Sequence, residues 1–165
     1  NFRRVIGVEF AKELFEIARQ NIQSFRCGTQ RCAEILVEHG DAAEFPIPDG
    51  HCVFYFFHPF RAEIMARVMK NVEESYRKDP RVFIILYYHP RVAAQLDGVS
   101  FLRKRTETPM PFDLTAERCV YRRRMAVYET AGPPCRQHVT CRFRSGIYCL
   151  IPAAAASRRA CPVSG

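Results

Sequence analysis

The sequence predicts an α/β domain built around a mostly parallel β-sheet, and three observations support this fold class. Short apolar runs alternate with amphipathic stretches over the first hundred or so residues, an order typical of parallel sheets with helical crossovers. Two of the runs are apolar on both faces, as expected for strands that helices cover on both sides. Polar residues follow the runs, at the sheet edge where open α/β proteins bind ligands.

The amino-terminal part predicts two strands joined by a helix. Arg4 to Glu9 is a short apolar run that ends in an acid, which predicts a buried strand. The next stretch has one apolar and one charged face and predicts an amphipathic helix, with the inner positions Ala11, Leu14, Phe15, Ala18 and Ile22. Glu34 to Glu38 predicts the second strand, which His39-Gly40-Asp41 closes.

The middle of the chain repeats this order. Cys52 to Phe57 predicts a third strand, and His58-Pro59-Phe60 ends it. A second helix is predicted from the inner stripe Ile64, Met65, Val68, Met69, Val72 and Tyr76. The remaining predicted elements are a strand over Arg81–Tyr88, a short helix over Val92–Leu96, and an antiparallel pair from Phe101-Leu102 and Val120–Tyr128.

The net charge of +8 comes from the carboxyl-terminal part. Residues 1–100 carry 13 basic and 13 acidic side chains, whereas residues 131–165 carry five Arg and no acid. This last segment is rich in Pro, Arg, Cys and Ala and has no helical period. The prediction is therefore an α/β domain over residues 1–130 and a tail over 131–165 that is disordered or foreign to the fold.

The eight cysteines are not predicted to form a disulfide framework, because no signal peptide precedes the first strand. The expected compartment is the cytoplasm. No apolar run reaches the roughly 18 residues that span a bilayer, so no membrane partner is expected. No metal site is predicted. The tail has zinc-ligand residue types, but their spacing matches no common structural site: Cys135, His138, Cys141 and Cys149.

Three strand ends carry residues suited to an adenosine moiety. An acid that ends a strand before a helix, as Glu9 does, can accept hydrogen bonds from both ribose hydroxyls. In Gly40-Asp41-Ala42, the carboxylate can accept from the adenine amine and the next N–H can donate to a ring nitrogen; the alternative is an ordinary Asx turn. His58 follows the third strand. The three ends are expected to open onto one crevice.

Residues 2–130 resemble the class I, Rossmann-like methyltransferases that use S-adenosyl-L-methionine. The resemblance rests on Phe2 to Glu9 with the following helix, on Gly40-Asp41-Ala42, and on the run from Phe54 to Phe60. It implies a three-layer α/β/α sandwich with a seven-stranded, mostly parallel sheet whose last strand is antiparallel. It also implies S-adenosyl-L-methionine as the cofactor and methyl transfer to an unidentified acceptor, either a small molecule or a macromolecule.

Specific residues take roles by this resemblance. Glu9 matches the ribose-binding acid, Asp41 the acid that binds the adenine amine, and Ala42 the residue that makes a main-chain contact. Ile22 and Phe45 match the adenine pocket by neighbourhood alone.

His58-Pro59-Phe60 aligns with the family's fourth motif, where several subfamilies carry Asn- or Asp-Pro-Pro-aromatic and hold a substrate nitrogen. Here a histidine takes the polar position and one proline follows it, which weighs against nitrogen methylation. His58 is the candidate general base, and Pro59 and Phe60 are candidate substrate-binding residues. The alternatives are a turn histidine bonded to backbone and a core phenylalanine.

The family's first strand and Gly-rich loop have no counterpart before Glu9. They hold the methionine half of the cofactor and precede the ribose-binding acid by about 20 residues, whereas only eight residues precede Glu9 and no Gly-x-Gly occurs. Because that strand is also the central one, the resemblance implies an amino-terminally truncated fold with a gap in its sheet. The chain alone is expected to bind the cofactor weakly or not at all.

Two other functions are open. An NAD-dependent oxidoreductase on a similar fold shares Glu9 but does not account for Gly40-Asp41-Ala42. A non-catalytic nucleic-acid-binding module is supported by the clusters Arg103-Lys104-Arg105 and Arg122-Arg123-Arg124, and its binding should weaken steeply with salt.

Overall fold

The computed structural model describes residues 2–26, 28, 30–57, 59–110, 124–131 and 148–152. The elements in chain order are β1 Arg4–Glu9, α1 Lys12–Ser24, β2 Glu34–His39, β3 Cys52–Phe57, α2 Ala62–Lys78, β4 Phe83–Tyr88, α3 Ala94–Asp97, β5 Leu102–Pro109, β6 Arg124–Thr130 and β7 Tyr148–Pro152. The predicted α/β class is confirmed, and β5 and β6 form the predicted antiparallel pair. In the described part of the chain, no helix is long and apolar enough to cross a membrane.

The strands form one sheet in the order β2-β1-β7-β3-β4-β6-β5. Neighbouring strands from β2 to β4 pair in parallel. At the other end, β6 runs antiparallel to β4 and β5 runs antiparallel to β6. The parallel strands therefore end at one common edge, which is called the carboxyl edge below.

Strand β7 corrects the expectations for the tail and for the gap. It lies within the segment predicted to be disordered or foreign to the fold, yet it pairs with β1 on one side and β3 on the other. The position between β1 and β3 is thus filled from the carboxyl-terminal end of the chain. A five-residue apolar run is too short to show a period, and its partners lie far away in sequence. The rest of the predicted tail lies outside the described residues, apart from Ala131.

The core lies between α2 and one face of the central strands. Alternate residues of β3 and β4 are buried, which places them on the same side of the pleated sheet. Four positions of the predicted stripe on α2 are buried against them: Met65, Val68, Met69 and Val72. Tyr87 and Tyr128 extend this core toward β6. The second helix therefore packs as its sequence pattern predicts.

A buried guanidinium closes the opposite edge of the sheet. The side chain of Arg81 is 6% exposed and lies 4.6 Å from the ring centroid of Phe83. It donates hydrogen bonds to the carbonyls of Gly50 at 2.7 Å and Pro48 at 3.0 Å. It also donates to the carbonyl and hydroxyl of Ser75 at 3.1 and 2.8 Å. Arg81 thus ties the loop before β3 and the end of α2 to the start of β4.

Candidate functional site

The predicted site residues that the structure describes lie at the carboxyl edge, where five parallel strands end. Glu9 ends β1 opposite His39 of β2. Phe57 ends β3 opposite Tyr88 of β4, with their ring centroids 4.9 Å apart. The edge is thus continuous across the sheet, with β7 between the two pairs.

Glu9 is a buried charged residue at the carboxyl edge, with 8% of its surface exposed. Its Oε1 accepts a hydrogen bond from the backbone N–H of Ala11 at 2.9 Å, just before α1 begins. No described residue donates to the other oxygen, Oε2. A buried carboxylate is costly unless donors satisfy it, so this oxygen is suited to receive a hydroxyl from a ligand.

The backbone brings Glu9 and Asp41 together, as the sequence predicts. The N–H of Gly40 donates to the carbonyl of Glu9 at 3.0 Å, so the turn after β2 is held against the end of β1. The ring of His39 extends this contact, because its Nε2 lies 3.1 Å from the carbonyl of Phe10. The predicted ribose and adenine contacts therefore lie on adjacent strand ends.

Both carboxylate oxygens of Asp41 have partners within the chain. Oδ1 accepts from the N–H of Ala43 at 2.9 Å, which is an Asx turn. Oδ2 accepts from Nη2 of Arg67 at 3.1 Å, and the same nitrogen reaches Glu44 at 3.2 Å. The Arg67 side chain is 50% exposed, and ion pairs this exposed contribute only about 0–1 kcal/mol. The N–H of Ala42 donates to no described group.

The residues predicted to line the adenine pocket or to bind substrate are less available to a ligand than Glu9 and Ala42. Phe45 packs against the core, and its carbonyl accepts from Asn71 at 2.8 Å, whereas Ile22 is half-buried on α1. The ring of Phe60 packs edge-on against buried Phe56 with centroids 6.1 Å apart, so it lies on the core side of the loop. Pro59 is half-buried, and His58 lies outside the described residues.

His89 is a site candidate that the sequence prediction did not include. It follows β4 directly and has a backbone φ of 55°, the only positive φ of a non-glycine residue in the described chain. For an L-residue this conformation costs about 1–2 kcal/mol, and strained residues cluster at functional sites. The signal in the sequence is a repeat, because Phe57-His58-Pro59 and Tyr88-His89-Pro90 end two adjacent parallel strands.

The first of the two basic clusters is neutralised by nearby acids. Arg103 and Arg105 both contact Glu129, at 2.9 and 3.2 Å, and Lys104 contacts Asp97 at 2.9 Å. Of the second cluster, Arg124 contacts Glu107 at 2.7 Å, and its two other arginines lie outside the described residues. Four of the six basic side chains in these two clusters are therefore paired with carboxylates.

Neither metal ligands nor known relatives add to this site. Among the residues that the structure describes, no group of three His, Cys, Asp or Glu side chains is arranged to hold a metal ion. Comparisons with protein-family models, with characterised proteins and with solved structures found no match to this chain.

Proposed function

We propose that the chain binds the adenosine half of S-adenosyl-L-methionine at the carboxyl edge and belongs to a methyl-transferring protein of the class I, Rossmann-like type. The observation that carries this proposal is the buried carboxylate of Glu9 beside the turn at Gly40, with Oε2 of Glu9 and the N–H of Ala42 unused by the described residues. Together they present one acceptor and one donor to a ligand.

The sheet supports the same assignment. The family resembled in sequence has seven strands with an antiparallel last strand; here a seven-stranded sheet also has an antiparallel strand, β6, although the last strand of the chain, β7, is parallel. The connections β1–α1–β2 and β3–α2–β4 lead outward from β7 in opposite directions. Right-handed connections then place α1 and α2 on opposite faces, which favours a three-layer sandwich with a ligand crevice where the direction reverses.

Each residue has a defined part in the proposed site. Glu9 accepts from the ribose hydroxyls through Oε2, and Ala42 donates its N–H to an adenine ring nitrogen. Asp41 accepts from the adenine amine once Arg67 moves away from Oδ2. When bound, the cofactor supplies a methyl group already activated by its sulfonium, so the protein has mainly to align the acceptor with it.

The substrate side of the proposal lies at the ends of β3 and β4. His58 is proposed as the general base and Pro59 as a residue beside the acceptor, whereas Phe60 supports the loop from the core side. His89 is added to these substrate-side residues because β4, which it follows, ends next to β3. The acceptor is left open as a small molecule or a macromolecule, and the proposed compartment is the cytoplasm.

The test is ligand-detected NMR of the full chain with adenosine and S-adenosylhomocysteine. Because only the adenosine half of the site is assigned, both ligands should bind with similar, weak affinity, on the order of 0.1–1 mM. Saturation should transfer to the adenine and ribose protons more than to the homocysteine chain. Glu9→Gln should abolish this transfer, whereas Glu38→Gln, on the exposed end of β2, should leave it unchanged.

A further variant tests the part given to Asp41. Arg67→Ala frees Oδ2 of Asp41 and should strengthen adenosine binding a few-fold. The proposal fails if Glu9→Gln binds adenosine as wild type does. Thermal stabilisation by NAD but not by S-adenosylhomocysteine would favour the oxidoreductase instead.

A further inference from the structure

The position between β1 and β3 is a slot that β7 fills incompletely. Strands β1 and β3 have six residues each, and β7 has five. The ladder to β1 covers Arg4–Val8, but the ladder to β3 covers only Cys52–Phe54 and stops three residues before β3 ends. On the β3 side, the occupant therefore pairs at the amino end of the slot and leaves the carboxyl end of β3 unpaired.

The residue at the poorly paired end explains the mismatch. Pro152 is the last residue of β7 and lies opposite Val8. Proline has no N–H to give to a ladder, and in sheets it is confined mainly to edge strands, strand starts and bulges. In this sheet it ends the third of seven strands, which has neighbours on both sides. A strand without this proline would complete the pairing.

Strand β7 can leave the slot without displacing another strand. Among the described strands, it pairs with β1 and β3 and with no other. Residues 131–147 separate it from β6, whose end lies beside the start of β4. The two ends of this connection thus lie at the same edge, three strand spacings or about 14 Å apart. A connection of that many residues reaches much farther.

We propose that the slot is a strand-acceptor site, which binds an extended apolar segment in place of β7. The segment is about six residues long, free of proline, and parallel to β1 and β3. The segment is apolar because its neighbours on the face of the sheet that α2 covers are buried: Ile6, Val8, Phe54 and Phe56. Main-chain pairing supplies the affinity, as in other cases of strand addition. This proposal does not depend on the cofactor assignment.

Labelled peptides and fluorescence anisotropy of the full chain test the site. The reference peptide copies residues 147–152 with serine for the cysteine, Ile-Tyr-Ser-Leu-Ile-Pro. The improved peptide ends in valine instead of proline, and the control has proline in place of its central leucine. The improved peptide should bind about fivefold tighter than the reference, the effect of one further main-chain hydrogen bond. The control should not bind.

A disulfide lock decides whether binding occurs in the slot. Cys149 of β7 is in register with Val5 of β1 and Val53 of β3, and paired residues of adjacent strands lie within disulfide reach. Oxidised Val5→Cys, with its cross-link to Cys149 verified by peptide mapping, should lose peptide binding and regain it on reduction. Val5→Ser should bind in both conditions.

Three outcomes overturn the proposal. One is binding of the improved peptide to the locked and the reduced protein alike. Another is failure of the improved peptide to bind the wild-type chain. The last is failure to cross-link to Cys149 in both Val5→Cys and a second variant, Val53→Cys, because β7 then does not occupy the slot.

Discussion

Strand β7 divides the sheet into two halves, an α1 side with β1 and β2 and an α2 side with β3 and β4. The two halves differ in how deeply their helices are packed. On one side, α2 buries four apolar residues against β3 and β4. On the other side, α1 buries none, although its sequence is also amphipathic, and Phe10 and Ile17 remain 76% and 47% exposed. Stability thus comes mainly from the α2 side, whereas the candidate cofactor contacts lie on the α1 side.

This difference matters for the proposed ligand-binding edge, because it affects how easily each half of the sheet opens. Elements with few buried contacts open at low free-energy cost, and ligand sites are drawn from such regions. Glu9 and the Asp41 turn are attached to the α2 side through the Arg67 ion pair, the hydrogen bond from Asn71 to Phe45, and the strand β7.

The largest expected contrast is between core truncations on the two sides. Phe54→Ala removes a ring that is 1% exposed and should lower the free energy of unfolding by about 3–5 kcal/mol. Leu14→Ala, on α1, should cost less than about 1 kcal/mol because this side chain is 39% exposed. Urea unfolding followed by circular dichroism measures both. Equal losses would show that α1 contributes to the core as much as α2 does.

Removing the buried guanidinium should also be costly. Arg81→Met removes the guanidinium that donates to the carbonyls of Pro48, Gly50 and Ser75, so the free energy of unfolding should fall by about 3 kcal/mol. Arg77→Met is the matched control, because the Arg77 side chain is 72% exposed and pairs with Glu73 at the surface of α2. It should cost less than about 0.5 kcal/mol. A small effect of Arg81→Met would mean that the hydrogen bonds of Arg81 contribute little to holding the loop before β3 against the end of α2.

Alkaline pH should weaken the α2 side through Cys52. Burial raises the pKa of its thiol from 9.0 to about 11, so the folded chain keeps a proton that the unfolded chain releases. This contribution is complete below pH 9 and is lost as the pH rises to about 11. Between these values, wild type should lose on the order of 2 kcal/mol more than Cys52→Ala. Parallel pH profiles in urea denaturation would contradict this prediction.

The smallest expected effect concerns the backbone of His89. Glycine adopts a φ of 55° without the steric cost that other residues meet. His89→Gly should therefore be about 1 kcal/mol more stable than His89→Ala in thermal or urea unfolding. Glycine no more stable than alanine would show that the position carries no strain.

Prediction from sequence succeeded where the pattern was local. The strands at β1 and β3 begin and end where their apolar runs do, and the inner stripe of α2 is the buried one. The prediction missed β7, whose five-residue apolar run is too short to show a period. The strain at His89 depends on a single backbone angle that no residue pattern reports, although the repeated aromatic-His-Pro step marked its position.

The α/β class and the alternation of strands and helices follow from the sequence, because periodicity is encoded by neighbouring residues. The adjacency of Glu9 and Gly40-Asp41-Ala42 needs in addition the pairing of β1 with β2. Only the tertiary structure decided three other features: the insertion of β7 between β1 and β3, the pairing of Asp41 with Arg67, and the ion pairs that neutralise the basic strand β5. Each joins segments distant in the chain, and the choice among distant partners depends on how the whole sheet packs.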